Sequence, residues 1–147
     1  MMKSRLSIEA KQANRFARLE QQRPLIVTVC VLGVVLLLAL HYTAALQRLG
    51  VHDALRRLFY LPVIVAAIVA GSRGGLGVAA FAVMGYLPHL RQLAATDDRI
   101  MDSVVELVLL LVVGGLVGWY ADASRRARAQ ATERGRFAGL GEMGLAL

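Results

Sequence analysis

The side chains best suited to chemistry lie in otherwise apolar surroundings. Glu106 sits about one helical turn inside a hydrophobic run, where a carboxylate must find a partner, reach the interface or take up a proton. His41 closes another apolar run, His52 follows in the next polar stretch, and His89 comes directly after Pro88. A four-span arrangement brings all four to one face, where they are candidates for sensing a proton or holding a metal ion. The competing reading makes the imidazoles interfacial hydrogen-bonding groups and pairs Glu106 with Arg91 or Arg99. No His-x-x-x-His spacing marks a metal centre. Cys30 is eleven residues from His41, roughly 16 Å of helical rise, so it cannot join the set from the same helix. As the only cysteine it forms no internal disulfide and reads as a small buried hydrophobe. No nucleophile, base and oxyanion donor come together, so neither catalysis nor a cofactor is expected within these residues.

The elements that would position these groups are membrane spans. Of 147 residues 57% are apolar and the mean hydropathy is +0.57, more than a globular domain of this size can bury. The expected fold is an all-α membrane protein: a four-transmembrane-helix bundle with a C-terminal cytoplasmic signalling helix. Residues 1–23 form a polar N-terminal tail, 24–121 the membrane domain and 122–147 the signalling helix with the start of a dimerisation helix. The spans fall at about 24–46, 55–72, 74–90 and 103–121, each near the length needed for roughly 30 Å of hydrocarbon. Pro24 to Leu46 carries no formal charge, and Ser103 to Ala121 carries only Glu106. The middle pair is shorter, and a re-entrant hairpin is its competing reading. Arg56 and Arg57 extend its first member with stems that can snorkel to the interface. A polar stretch precedes the first apolar run and no small-residue cleavage site follows it, so that run is expected to remain in the product.

Charge sets the orientation. Six Lys and Arg in the N-terminal tail, Arg73 in the middle loop and five in the C-terminal tail put twelve on one side, against five in the other two loops. Both termini are therefore expected in the cytoplasm, as for a multi-pass protein of a bacterial inner membrane. The net charge of +7 fits this asymmetry and an attraction to anionic headgroups, and no nucleic-acid-binding motif accompanies it.

Two local patterns refine the bundle. Tyr60-Leu61-Pro62 opens the second span and Tyr86-Leu87-Pro88 closes the third, so an antiparallel hairpin puts both triplets at one depth. The prolines are either tolerated at helix ends or are kinks framing a small outer pocket. Between them, Gly71-Ser72-Arg73-Gly74-Gly75-Leu76-Gly77 reads as a tight turn; no Lys followed by Ser or Thr comes after its glycines, as a phosphate-binding loop needs. Ala66, Ala67, Ala70 and Gly71, with Gly114 and Gly118 on the last span, form small-residue ladders that let helices approach closely, and the fourth span is a candidate to pair across a dimer.

From Trp119 onward helix formers continue the fourth span, and Phe137, Leu140, Gly144 and Leu147 recur at spacings of three, four and three. That is the beginning of a heptad seam, the candidate dimerisation surface. Here the chain resembles a known family. Arg136 to Leu147, centred on Leu140-Gly141-Glu142-Met143, is similar to the opening of the dimerisation and phosphotransfer helix of bacterial sensor histidine kinases. Leu58 to Leu90, from Leu-Phe-Tyr-Leu-Pro through Gly-Ser-Arg-Gly-Gly to Tyr-Leu-Pro-His, resembles the four-helix membrane input domain found in many of them. The resemblance implies a homodimeric two-component sensor whose phosphoacceptor histidine and ATP-binding domain would lie beyond Leu147, with a response regulator as partner through those domains. Within these residues no kinase chemistry is implied. The alternatives are a small proton-coupled transporter using Glu106 and a passive membrane anchor.

Overall fold

The computed structural model describes the backbone of residues 2–44, 49–93 and 100–144, and the side chains of residues 21–43, 54–88, 90 and 101–133. The elements are α1 (Met2–Ala44), α2 (Leu49–Leu58), α3 (Tyr60–Leu93) and α4 (Ile100–Gly144). Three stretches, Gln21–Thr43, Ala54–Pro88 and Met101–Glu133, are long and apolar enough to cross a membrane. An all-helical chain is what such a solvent requires, because only a helix satisfies every backbone group within its own segment. The surface agrees: Leu25, Leu32, Leu36 and Leu116 are each 60% or more exposed. Water would penalise that apolar area, whereas hydrocarbon does not.

α3 is continuous in its helical assignment but is not one rod. Gly71 has φ 72° and ψ −158°, and the chain reverses there. Phe59 and Tyr60 from before the turn line the same cavity as Ala82 and Tyr86 from after it. In a straight helix Tyr60 and Tyr86 would stand about 39 Å apart. The turn is tighter than the expected Gly71–Gly77 loop, since helix resumes at Ser72 and only Gly71 leaves helical dihedrals. Gly74 and Gly75 serve packing instead. A Cβ on Gly75 would stand 2.4 Å from the Gly114 carbonyl oxygen, and one on Gly114 would stand 2.8 Å from that of Gly75. A Cβ on Gly118 would meet the Ser72 backbone at 2.5 Å. Gly114 and Gly118, candidates for a dimer contact, thus pack inside the chain against α3.

The folded α3 lies between α1 and α4, whose Cα atoms stay more than 8 Å apart among the described residues. The core is built from Cys30 and Val34 of α1, Val63, Ala66, Val78, Ala79 and Ala82 of α3, and Leu110 of α4, with Phe59 at the junction of α2 and α3. Cys30 is a buried free thiol within it, as its apolar setting suggests.

Two elements differ from expectation. The polar N-terminal stretch has no break separating it from the first span: α1 runs from Met2 through Pro24 to Ala44. Pro24 removes one backbone donor, and the Thr28 hydroxyl donates to the Pro24 carbonyl at 2.9 Å. The first loop contains α2, a ten-residue amphipathic helix ending in Arg56 and Arg57. A single turn residue, Phe59, whose amide donates to the Arg56 carbonyl at 3.3 Å, passes the chain from α2 into α3.

Candidate functional site

Polar side chains gather at two heights on α4, separated by sixteen residues or about 24 Å. The first group surrounds Glu106. Its carboxylate forms an ion pair with Arg56 of α2, Nε to Oε2 2.5 Å. Arg56 also donates through Nη1 to the Ser103 hydroxyl at 3.1 Å. The Tyr60 hydroxyl reaches the Glu106 backbone carbonyl at 3.5 Å. Both charged side chains are only 21% exposed. In a low-dielectric setting each neutralises a charge that would otherwise be costly. The observed partner of Glu106 is thus Arg56, whose guanidinium turns inward instead of snorkelling. The side chains of Arg91 and Arg99 lie outside the described residues.

Arg56, Ser103 and Glu106 line a cavity of about 20 Å³ with Tyr60 and Tyr86, room for a single water. The tyrosine of each Tyr-Leu-Pro triplet lines it, so the two triplets stand at a common depth. His41 is completely buried behind Tyr86, with ring centroids 4.9 Å apart, and has Phe59 at 6.5 Å and Tyr42 at 6.3 Å. The Tyr42 hydroxyl donates to the Gly85 carbonyl at 2.9 Å and ties α1 to the second limb of α3. His41 therefore adjoins the Glu106 group through Tyr86. The side chains of His52 and His89 lie outside the described residues. Among the described residues no three His, Cys, Asp or Glu side chains converge as a metal site.

The second group closes around the Gly71 turn. The carboxylate of Asp122 accepts from the Ser72 amide at 2.9 Å and the Ser72 hydroxyl at 2.7 Å. Arg125 donates to the carbonyls of Ile68 and of Val69, the latter at 2.8 Å, and stands 3.8 Å from Asp122. A reversal of this kind strands carbonyls at the end of one limb and amides at the start of the next. α4 supplies both caps, with an anion on the amide end and a cation on the carbonyl end, the signs that the helix dipoles favour. Asp122 is one residue beyond the apolar run that ends at Ala121. The two Ser72 donors, aided by Arg125 and Arg126, hold its carboxyl below the usual carboxylate range. A Cβ on Gly71 would overlap this carboxylate, so glycine is required there twice over, by its φ and by its neighbour.

Sequence reasoning singled out Glu106 and His41 but missed Ser72, Ser103, Asp122 and Arg125, and gave Arg56 a different part. The one available signal was the Asp122-x-x-Arg125 spacing directly after the last apolar run. Phe137, Leu140 and Gly144 lie on the helical backbone of α4, their side chains outside the described residues, and Leu147 is outside altogether. Chemically the two groups are clasps: each ties α4 to the helices before it, the first through an ion pair and directional hydrogen bonds, the second through directional hydrogen bonds. Comparison with known protein families, with curated proteins and with solved structures finds no match.

Proposed function

We propose that the chain is the membrane input portion of a dimeric two-component sensor histidine kinase, with α4 as the rod that carries a change in the bundle to a C-terminal output. One observation carries this reading: α4 is a single helix from Ile100 to Gly144, passing both clasps and continuing into the Leu140-Gly141-Glu142-Met143 segment. A displacement at Glu106 therefore has a stiff path of about 50 Å to that segment. The limbs of α3 reach from the Glu106 level to Asp122, about 24 Å of α4, which supports four crossings. The excess of basic residues at the termini and at Arg73 supports a cytoplasmic position for both ends and for the Gly71 turn. The heptad beginning at Phe137 supports pairing of two exit helices, and the kinase output, its ATP and its response regulator come from the family resemblance alone.

The test is a fusion of residues 1–147 to a histidine-kinase core, reconstituted in bilayers and assayed for autophosphorylation. Asp122→Ala and Arg125→Ala, which free α4 from the turn, should change basal activity by at least about fivefold, the lower end of ordinary coupling energies. Unchanged activity in well-folded variants would overturn the proposal. Deleting Ala131 to Leu147 from the unfused chain should abolish its cross-linked dimer, and persistence of that dimer would remove the tail from the pairing surface.

A further inference from the structure

A groove of about 430 Å³ opens between the end of α2 and the first turns of α4, beside the Glu106 clasp. Arg56 and Arg57 come from α2, and Asp102, Val105, Glu106 and Leu109 from α4. The last four recur at i, i+3, i+4 and i+7, which places them on one helix face. Arg56 and Glu106 neutralise each other at the inner side. Arg57 and Asp102 are joined by none of the ion pairs among the described residues, and both are exposed. Val105 and Leu109, about half exposed, continue the face toward the centre of the apolar run.

We propose that this groove binds a zwitterionic phospholipid whose headgroup carries a primary ammonium. The lipid phosphate meets Arg57, whose planar guanidinium matches phosphate oxygens, and the ammonium donates hydrogen bonds to Asp102. One acyl chain lies along Val105 and Leu109. Two guanidiniums and two carboxylates give the groove a formal charge of zero, so a net anionic headgroup gains at Arg57 what it loses at Asp102 and Glu106. A quaternary ammonium has no N–H to offer Asp102, and the one aromatic lining residue, Tyr60, does not make a cation–π cage. The assignment rests on the membrane-spanning part of the reading above and not on the signalling part, so it is tested on the unfused chain.

The experiment is native mass spectrometry of the full chain in nonionic micelles doped with equal amounts of phosphatidylethanolamine, phosphatidylcholine and phosphatidylglycerol. The wild-type chain should carry phosphatidylethanolamine in about tenfold preference, the worth of one charge-assisted hydrogen bond. Arg57→Gln should remove that preference. Asp102→Asn, which leaves the groove with one net positive charge, should invert it toward phosphatidylglycerol. Arg73→Gln, at the Gly71 turn, should leave it unchanged. Identical adduct patterns in all four proteins would overturn the proposal, as would displacement of the lipid by soluble phosphoethanolamine at equal concentration, which would show that the Val105–Leu109 wall takes no part. Failure here, with the fused-kinase test still positive, would remove the lipid and leave the sensor.

Discussion

Gly75→Ala tests the account of how α3 and α4 are held together. Its new methyl would begin 2.4 Å from the Gly114 carbonyl oxygen and 2.7 Å from the Ala67 Cβ. Ordinary contact begins at 3.4 Å, so α4 must retreat by about 1 Å at this level. The obstructing atom is backbone, and no side-chain rotamer relieves it. Overpacking of this kind costs about 1–3 kcal/mol. Gly77 supplies the control, because a Cβ there meets nothing within 4 Å. Gly77→Ala should be neutral or stabilise by about 0.5–1 kcal/mol through helix propensity and a less flexible unfolded chain. Both variants add one methyl to a glycine of the same helical limb, so helix propensity favours each equally and only the packing differs. Reversible unfolding in mixed micelles, followed by circular dichroism against mole fraction of dodecyl sulfate, measures both. A Gly75→Ala protein as stable as the Gly77→Ala protein would refute the close backbone contact between α3 and α4.

Three further outcomes follow from the clasps and the core. Glu106→Gln leaves the Arg56 guanidinium without its counter-charge and should destabilise by about 1.5–3 kcal/mol, while the double variant Arg56→Met, Glu106→Leu should recover most of the loss in the same titration. Asp122 is a carboxylate whose pKa is lowered on folding, so its contribution is complete above the ordinary value near 4 and is lost as pH falls through the depressed folded value. The stability gap between wild type and Asp122→Asn should therefore be constant near neutrality and close only in acid below about pH 4; a gap that closes between pH 5 and 7 would assign the effect to another group. Val34→Ala, at a fully buried position where α1 meets α3, should cost about 1–3 kcal/mol, whereas Leu32→Ala, on the exposed stripe of α1, should cost well under 1 kcal/mol in the same assay.

What the sequence made legible was local. Apolar length gave α1 and α4 as spans, the glycine cluster gave the reversal within a residue or two, and the paired Tyr-Leu-Pro triplets gave their common depth, because each signal is written in consecutive residues. The clasps depend on which helices become neighbours. Arg56 meets Glu106 across fifty residues because α2 ends one residue before α3 and delivers its last turn to α4. Asp122 meets Ser72 across another fifty because the α3 limbs match the apolar height of α4. A count of basic residues by loop treats Arg56 as one charge among five and cannot distinguish a snorkelling guanidinium from one turned inward. The structure also assigns Gly114 and Gly118 to packing within the chain, since a small-residue ladder specifies close approach without naming the partner.

The same ladder bears on how α4 could move. Gly71, Gly75, Gly114 and Gly118 bring two backbones together and hold no interlocking side chain of their own against sliding, while Val63 over Gly114 and Leu76 beside Gly115 add side-chain packing to the same seam. Directional geometry that fixes register along α4 stands at two heights: Arg56 of α2 with Ser103 and Glu106 at one, and Ser72 of α3 with Asp122 and Arg125 at the other. Substitutions that loosen one clasp should shift the register of the helix, whereas substitutions that thicken the seam should push it outward. Distances between spin labels placed on α1 and on the exposed face of α4 separate the two: Asp122→Ala should alter the component along the helix axis, and Gly75→Ala the component across it.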